Sequence, residues 1–280
     1  NDTITAGAGN DTITYASGND VILGSSNNTG QDVLDLSQYN ASDVTFSISG
    51  YDIFIATPEG TINLHYQVRL ELGNIQSNIE TILFADGFLS EAEIRARAIS
   101  DQATAGNDSI TGTGFHDVFA DSAGNDTITA GAGNDSIIYA SGNDVIMGSS
   151  GNTGQDTLDL SLYDADDVTF SISGYDIYVA TANGTIRLHY QSRNDIGNAQ
   201  SNIETILFAD GSLNEAAIRA RAISDQATAG NDSIVGSGFN DVIDGGTGND
   251  TLRGNAGADD FVFASGDDQD RIMDFALAAD

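Results

Sequence analysis

The chain has 280 residues, with nine basic residues against 42 acidic ones and a formal net charge of -33. All nine are arginine, which excludes a lysine-bearing phosphate loop, and the charge makes nucleic acid and anionic membranes poor partners. No cysteine is present, so disulfides and thiolate metal sites are excluded and only oxygen ligands remain for a metal. Because 40% of residues are hydrophobic and recur periodically, the acidic chain is expected to fold once something neutralises it. Length alone suggests about two domains, and no apolar run is long enough to span a membrane as a helix.

In chain order, residues 1–30 carry Asp2, Asp11 and Asp20 at nine-residue spacing, each followed two positions later by isoleucine. Residues 31–102 lose this period. There "DVTFSISGYDIFIAT" alternates Val44, Phe46 and Ile48, turns at Ser49-Gly50 and alternates again through Tyr51, Ile53 and Ile55, which predicts a hairpin. "GTINLHYQ" predicts a strand with Ile62, Leu64 and Tyr66 inward, and "IETILFADG" another. A helix follows, with Ser90 and Glu93 as a capping box and Glu91–Arg95 and Glu93–Arg97 as i, i+4 pairs. Residues 103–150 resume the short period with Asp108, Asp117, Asp126, Asp135 and Asp144. Residues 151–226 repeat the intervening module, keeping the Glu215–Arg219 pair but losing the cap glutamate. Residues 227–280 return to the short period with Asp232, Asp241, Asp250, Asp259 and Asp268.

A self-comparison at an offset of 124 aligns almost the whole chain: "NDTITAGAGND" stands at 1 and 125, and "DVTFSISGYDI" at 43 and 167. Asn1 corresponds to a mid-segment position and Asp280 falls on no turn or cap signal, so a longer natural protein is expected.

Each nonamer reads as a turn of six residues rich in Gly, Asn and Asp, then a three-residue strand with one aliphatic side chain inward. Two nonamers close a flat coil, so residue i+18 stacks over residue i, with Ile110, Ile128 and Ile146 on one wall and Ile137 on the other. Stacking places aspartates over aspartates one strand spacing apart, ~5 Å, where two carboxylates repel by roughly 3 kcal/mol at an effective dielectric near 20. The expected pairs are Asp2/Asp20, Asp108/Asp126, Asp117/Asp135, Asp126/Asp144, Asp232/Asp250 and Asp241/Asp259, with Asp250/Asp268 looser. Asp11 meets Thr29 at this spacing, so its mate is expected upstream of residue 1. A hard divalent ion held by two carboxylates and turn carbonyls relieves each pair, and all-oxygen coordination of six to eight ligands favours calcium over magnesium or zinc. Roughly six or seven ions are expected, with folding and binding a single transition.

The nonamers "GGTGNDTLR" (245–253), "GNAGADDFV" (254–262), "AGAGNDSII" (130–138) and "DSAGNDTIT" (121–129) resemble the repeats-in-toxin (RTX) nonapeptide of secreted bacterial haemolysins, proteases, lipases and adhesins. Only the first keeps all three glycines of that pattern; at Gly114 and Gly238 the glycine sits one place early and is followed by Phe115 and Phe239. "DVLDLSQY", "DVTFSISGYDI" and "IETILFADG" resemble the haemolysin-type calcium-binding-related module found between RTX blocks. The resemblance implies a mainly all-β chain of calcium-loaded parallel β-roll blocks, at 1–30, 103–150 and 227–280, alternating with β-rich modules at 31–102 and 151–226 that each carry a short helix. It implies export through type I secretion to the cell surface or medium. The expected role is a non-catalytic adhesin or surface-structure segment. The alternative is the C-terminal region of a protease or lipase, since "ADDFVFASGDDQDRIMDFALAAD" resembles the approach to the cap and secretion signal of such enzymes. Cell-surface glycan and self-association are the further candidate partners. His65 and His189 read as surface histidines; Phe54 and Tyr178 lie opposite the hairpin's main apolar row, where packing under the helix is expected ahead of stacking on a sugar, and no catalytic constellation is present.

Overall fold

The computed structural model describes residues 1–23, 30–68, 70–71, 74–75, 79–120, 122–147, 154–194 and 203–275. Thr29 and residues 276–280 of the final run lie outside them. The architecture is mainly β, with parallel sheets in a β-roll arrangement.

The predicted coil is present. Ser109–Thr111 pairs in parallel with Thr127–Thr129, and Thr127–Thr129 with part of Gly142–Met147, at the expected offset of 18. On the other wall, Val118–Ala120 pairs with Ser136–Ile138. Ile110, Ile128 and Ile146 are buried along one sheet, and Phe119, Ile137 and Leu158 along the other. With one buried side chain per nonamer, worth about 1.5–3 kcal/mol, the core alone falls well short of the entropy of ordering nine backbone residues. The turns must contribute.

The strands of the intervening segments continue the roll's own sheets. Gly142–Met147 pairs in parallel with Gly184–Leu188, and that strand then pairs antiparallel with Asp176–Thr181, itself hairpinned to Thr169–Ser173. On the opposite wall Ser136–Ile138, Thr157–Leu160 and Thr205–Phe208 follow in parallel, and Ser212–Asn214 closes the edge. The first copy repeats this with Gly18–Leu23 on Gly60–His65 and with Thr12–Thr14, Val33–Leu36 and Thr81–Phe84 in order. One buried cluster runs from Tyr15 to Ala98, and a second spans Ile99 to Leu252.

Helix α1, Glu91–Ser100, begins at the Ser90/Glu93 capping box as expected. In helix α2, Glu215–Ser224, the Asn214 side chain accepts from the Ala217 amide instead. Glu91–Arg95 and Glu215–Arg219 pair as predicted. Glu93–Arg97 does not: Glu93 is committed to the cap, and Arg97 bonds Asp101. Two side chains expected inward are outside. Tyr51 falls in the hairpin turn, and Tyr66 follows the strand end at a φ of 58°, which rotates it out. Phe54 and Tyr178 are half-buried and belong to neither core, and the histidines turn back on the hairpin, His65 to Asp52 and His189 to Asp176.

Coils approach so closely at some turns that no side chain fits. Gly142 has a φ of +124°, and a Cβ there would lie 1.7 Å from the Gly124 carbonyl oxygen. Gly142→Ala should therefore destabilise the chain by at least the ~1–3 kcal/mol typical of a left-handed non-glycine residue; a denaturation midpoint unchanged from wild type would contradict this close stacking.

Candidate metal centre

Two ladders run along the turns. The outer one is asparagine: the side-chain oxygens of Asn107, Asn125 and Asn231 accept from the backbone amides of Asn125, Asn143 and Asn249. His116 replaces asparagine once, its Nδ1 taking the Asn134 amide. The inner ladder is aspartate, one position later in each turn.

Six of the seven predicted stacked pairs are brought together, linked differently from the bare carboxylate contact expected. The backbone amide of each lower aspartate donates to Oδ1 of the upper one: Asp2 to Asp20 at 2.7 Å, Asp108 to Asp126 at 2.9 Å, Asp117 to Asp135 at 2.9 Å, Asp126 to Asp144 at 2.8 Å, Asp232 to Asp250 at 2.8 Å and Asp241 to Asp259 at 3.1 Å. Two expectations are corrected. Asp11 has a downstream mate, Asp32, at 2.9 Å, because three extra residues separate the coils there and shift the pairing from 18 to 21. Asp250 pairs with Asp270 at 2.9 Å, and Asp268 stands exposed in the turn with a φ of 30°.

Sequence reasoning also missed Asp156, which receives the Asp135 amide at 2.9 Å across the same three-residue insertion. The ladder then ends on glutamate: the Asp32 amide donates to Glu80 and the Asp156 amide to Glu204, each at 2.6 Å. The signal for Asp32 and Asp156 was "QD" with leucine two positions after the aspartate in both copies, displaced from the nine-residue register.

One amide satisfies one carboxylate oxygen, and the second oxygen divides the aspartates into two sets. In Asp11, Asp135 and Asp250, Oδ2 is buried without a hydrogen-bond partner. Each has glycine four residues earlier: Gly7, Gly131 and Gly246. Asp108, Asp117, Asp232 and Asp241 instead have a hydroxyl there. Thr104, Thr113, Thr228 and Ser237 donate backbone amide and side-chain hydroxyl to the carboxylate at 2.6–3.0 Å. Asp126 is intermediate, since Ser122 donates to the Thr104 carbonyl and stands 3.5 Å from its Oδ2.

Burying such oxygens raises the proton affinity. Burial pushes Asp135 up to about 8, and its neighbours Asp156 and Asp117 add to the shift. Asp259 is raised by burial and by Asp274 and Asp260, and Glu80 by burial and by Asp32 and Glu91. Orphaned, buried carboxylate oxygens suit a cation. Among the described residues no three His, Asp or Glu side chains converge on a common point, so backbone carbonyls must complete any coordination shell. That donor set fits calcium.

The family model described as RTX calcium-binding nonapeptide repeat (4 copies) matches residues 1–22, 111–146, 140–160, 226–261 and 235–270. The short-period blocks are RTX calcium-binding nonapeptide repeats. Calcium is the cation such repeats bind, several ions along the chain. Among solved structures, the chain is similar to the extracellular lipase LipA from Serratia marcescens, at 17% identity and a TM-score of 0.21, over 72% of this chain. The match spans 38% of the lipase's length. No curated protein matches the sequence.

A pH dependence follows for the chelator-stripped RTX blocks. A carboxyl whose folded-state pKa is raised contributes stability that is complete below its unfolded value and is lost as pH rises through the folded one. For Asp135 that window runs from 3.8 to about 8. The denaturation midpoint in chelator should fall between pH 4 and pH 9, and calcium should restore it at the alkaline end; a midpoint that climbs with pH in chelator would contradict the buried-acid geometry.

Proposed function

We propose that this chain is a non-catalytic, calcium-folded segment of a secreted bacterial protein, exported through a type I pathway and serving as a stiff spacer in an adhesin or surface structure. The observation that carries the reading is the buried, unpartnered Oδ2 of Asp11, Asp135 and Asp250 inside a ladder of stacked carboxylates. When bound, calcium supplies the positive charge that these oxygens lack. The ligands we assign are Asp11, Asp20, Asp126, Asp135, Asp144, Asp250 and Asp259, joined by Asp32, Asp156 and Asp270 at the irregular steps.

A net charge of -33 keeps the chain extended where calcium is scarce, and external calcium at the ~0.1–1 mM affinities of extracellular modules then drives folding. The 124-residue superrepeat supports the spacer role, because tandem units lengthen a structure without adding chemistry. The boundaries proposed are RTX blocks at 1–30, 103–150 and 227–280, with the intervening modules between them. Cell-surface glycan or a second copy of the chain are the partners such a spacer would present. The alternative, the C-terminal part of an extracellular protease or lipase, rests on the final "ADDFVFASGDDQDRIMDFALAAD" and requires a catalytic domain upstream.

Calcium titration of the chelator-stripped chain, followed by circular dichroism and calorimetry with magnesium as control, tests the switch. The expected outcome is a cooperative gain of β signal in sub-millimolar to millimolar calcium and none with magnesium. A full β signal in chelator would overturn it.

A further inference from the structure

We infer that the first coil of each roll following a helix, residues 104–120 and 228–244, is a calcium-free template. In it the chain's own hydroxyls take the place that calcium fills in later coils. The inference rests on the calcium reading above and narrows which aspartates belong to it.

The carboxylates of this coil are already satisfied. Asp117 accepts the Thr113 amide at 2.6 Å and its hydroxyl at 2.8 and 2.9 Å; Asp241 accepts the Ser237 amide at 2.6 Å and its hydroxyl at 2.9 and 3.0 Å. On the other wall Thr104 and Thr228 treat Asp108 and Asp232 the same way. Two turns in each of the two copies share this arrangement, while Asp11, Asp135 and Asp250, with glycine at that position, leave Oδ2 orphaned instead.

A cation is also present without metal. The Arg95 guanidinium lies 4.0 Å over the Phe115 ring and that of Arg219 3.9 Å over Phe239. Both arginines are largely buried, and each also bridges to a helix glutamate, Arg95 to Glu91 and Arg219 to Glu215. The irregular "TGFHD" and "SGFND" thereby acquire a physical reason: the hydroxyl residue binds the aspartate, and the displaced phenylalanine seats the arginine.

The residue just past each helix cap seals the sheet edge. Gln102 accepts the Thr111 amide and donates to the Thr111 carbonyl, both at 3.0 Å, and Gln226 does this for Val235 at 3.0 and 2.9 Å. Each glutamine side chain thus stands in for a neighbouring strand. The next coil has a preformed, hydrogen-bonded surface on which to stack.

Native mass spectrometry of the full chain in calcium separates the two sets of aspartates. Asp117→Asn/Asp241→Asn should keep the wild-type number of ions, since asparagine can both accept the amide and donate to the hydroxyl; Asp135→Asn/Asp250→Asn should lose two. Loss of ions from the first pair would overturn the template. Hydrogen exchange in chelator gives a second readout, with strands 109–111, 118–120, 233–235 and 242–244 expected to stay protected relative to 127–129 and 136–138. Thr113→Ala/Ser237→Ala should lower that protection by about tenfold, the scale of one lost hydrogen bond to a charged group. Equal exchange in first and later coils would also overturn it. A wild-type chain binding no calcium at all would instead sink the calcium reading, leaving the chelator experiment to judge the template alone.

Discussion

Everything in this fold depends on a carboxylate buried at the end of nearly every turn. A backbone amide from the coil below satisfies one of its oxygens and does nothing for the charge. The consequences spread outward from there. Asparagine, or His116 in one turn, precedes the aspartate and keeps the outer face of the turn hydrogen-bonded, and glycine must stand where one coil touches the next, as at Gly142 against Gly124. The aliphatic interior is too thin to offset such a buried charge, so neutralisation becomes the step that decides whether the coil forms.

The regular part of this arrangement was legible in the sequence because the period carries it. A nine-residue repeat fixes which residues face inward, which stack and at what offset, and Ile110, Ile128 and Ile146 fall where the count places them. The irregular part was hidden for a matching reason. Three extra residues move the mates of Asp11 and Asp135 to Asp32 and Asp156, and a period of nine cannot register an insertion that lies in a turn. The parallel pairing of Gly184–Leu188 on the roll strand is non-local, and local alternation says only that it is a strand. Tyr66 shows the limit of alternation too, since a positive φ at a strand end reverses the face it predicts.

The intervening segments also solve a problem that a pure repeat would leave open. A parallel roll ends in two exposed sheet edges, which are templates for unwanted pairing. Here one sheet is closed by an antiparallel hairpin and the other by a short returning strand, while Glu80 and Glu204 terminate the ladder with an acceptor for the last aspartate amide. The helix that follows then starts the next roll through Gln102 or Gln226. Module and roll therefore share sheets and ladder, which makes the 124-residue unit, rather than the nonamer, the unit that stacks.

Two ways of satisfying the second oxygen of a buried aspartate within one chain have different dependence on the surroundings. A threonine or serine hydroxyl is covalently part of the chain and holds at any calcium concentration, whereas an orphaned Oδ2 opposite glycine is satisfied only when the medium supplies an ion. Placing the first kind at the start of a roll and the second kind in its body fixes where ordering begins while leaving its extent to the ion. Lysine in those later turns would supply a fixed charge to the orphaned oxygens, and the sequence offers none: its nine basic residues are all arginine, and two of them, Arg95 and Arg219, are held by Glu91 and Glu215 over Phe115 and Phe239.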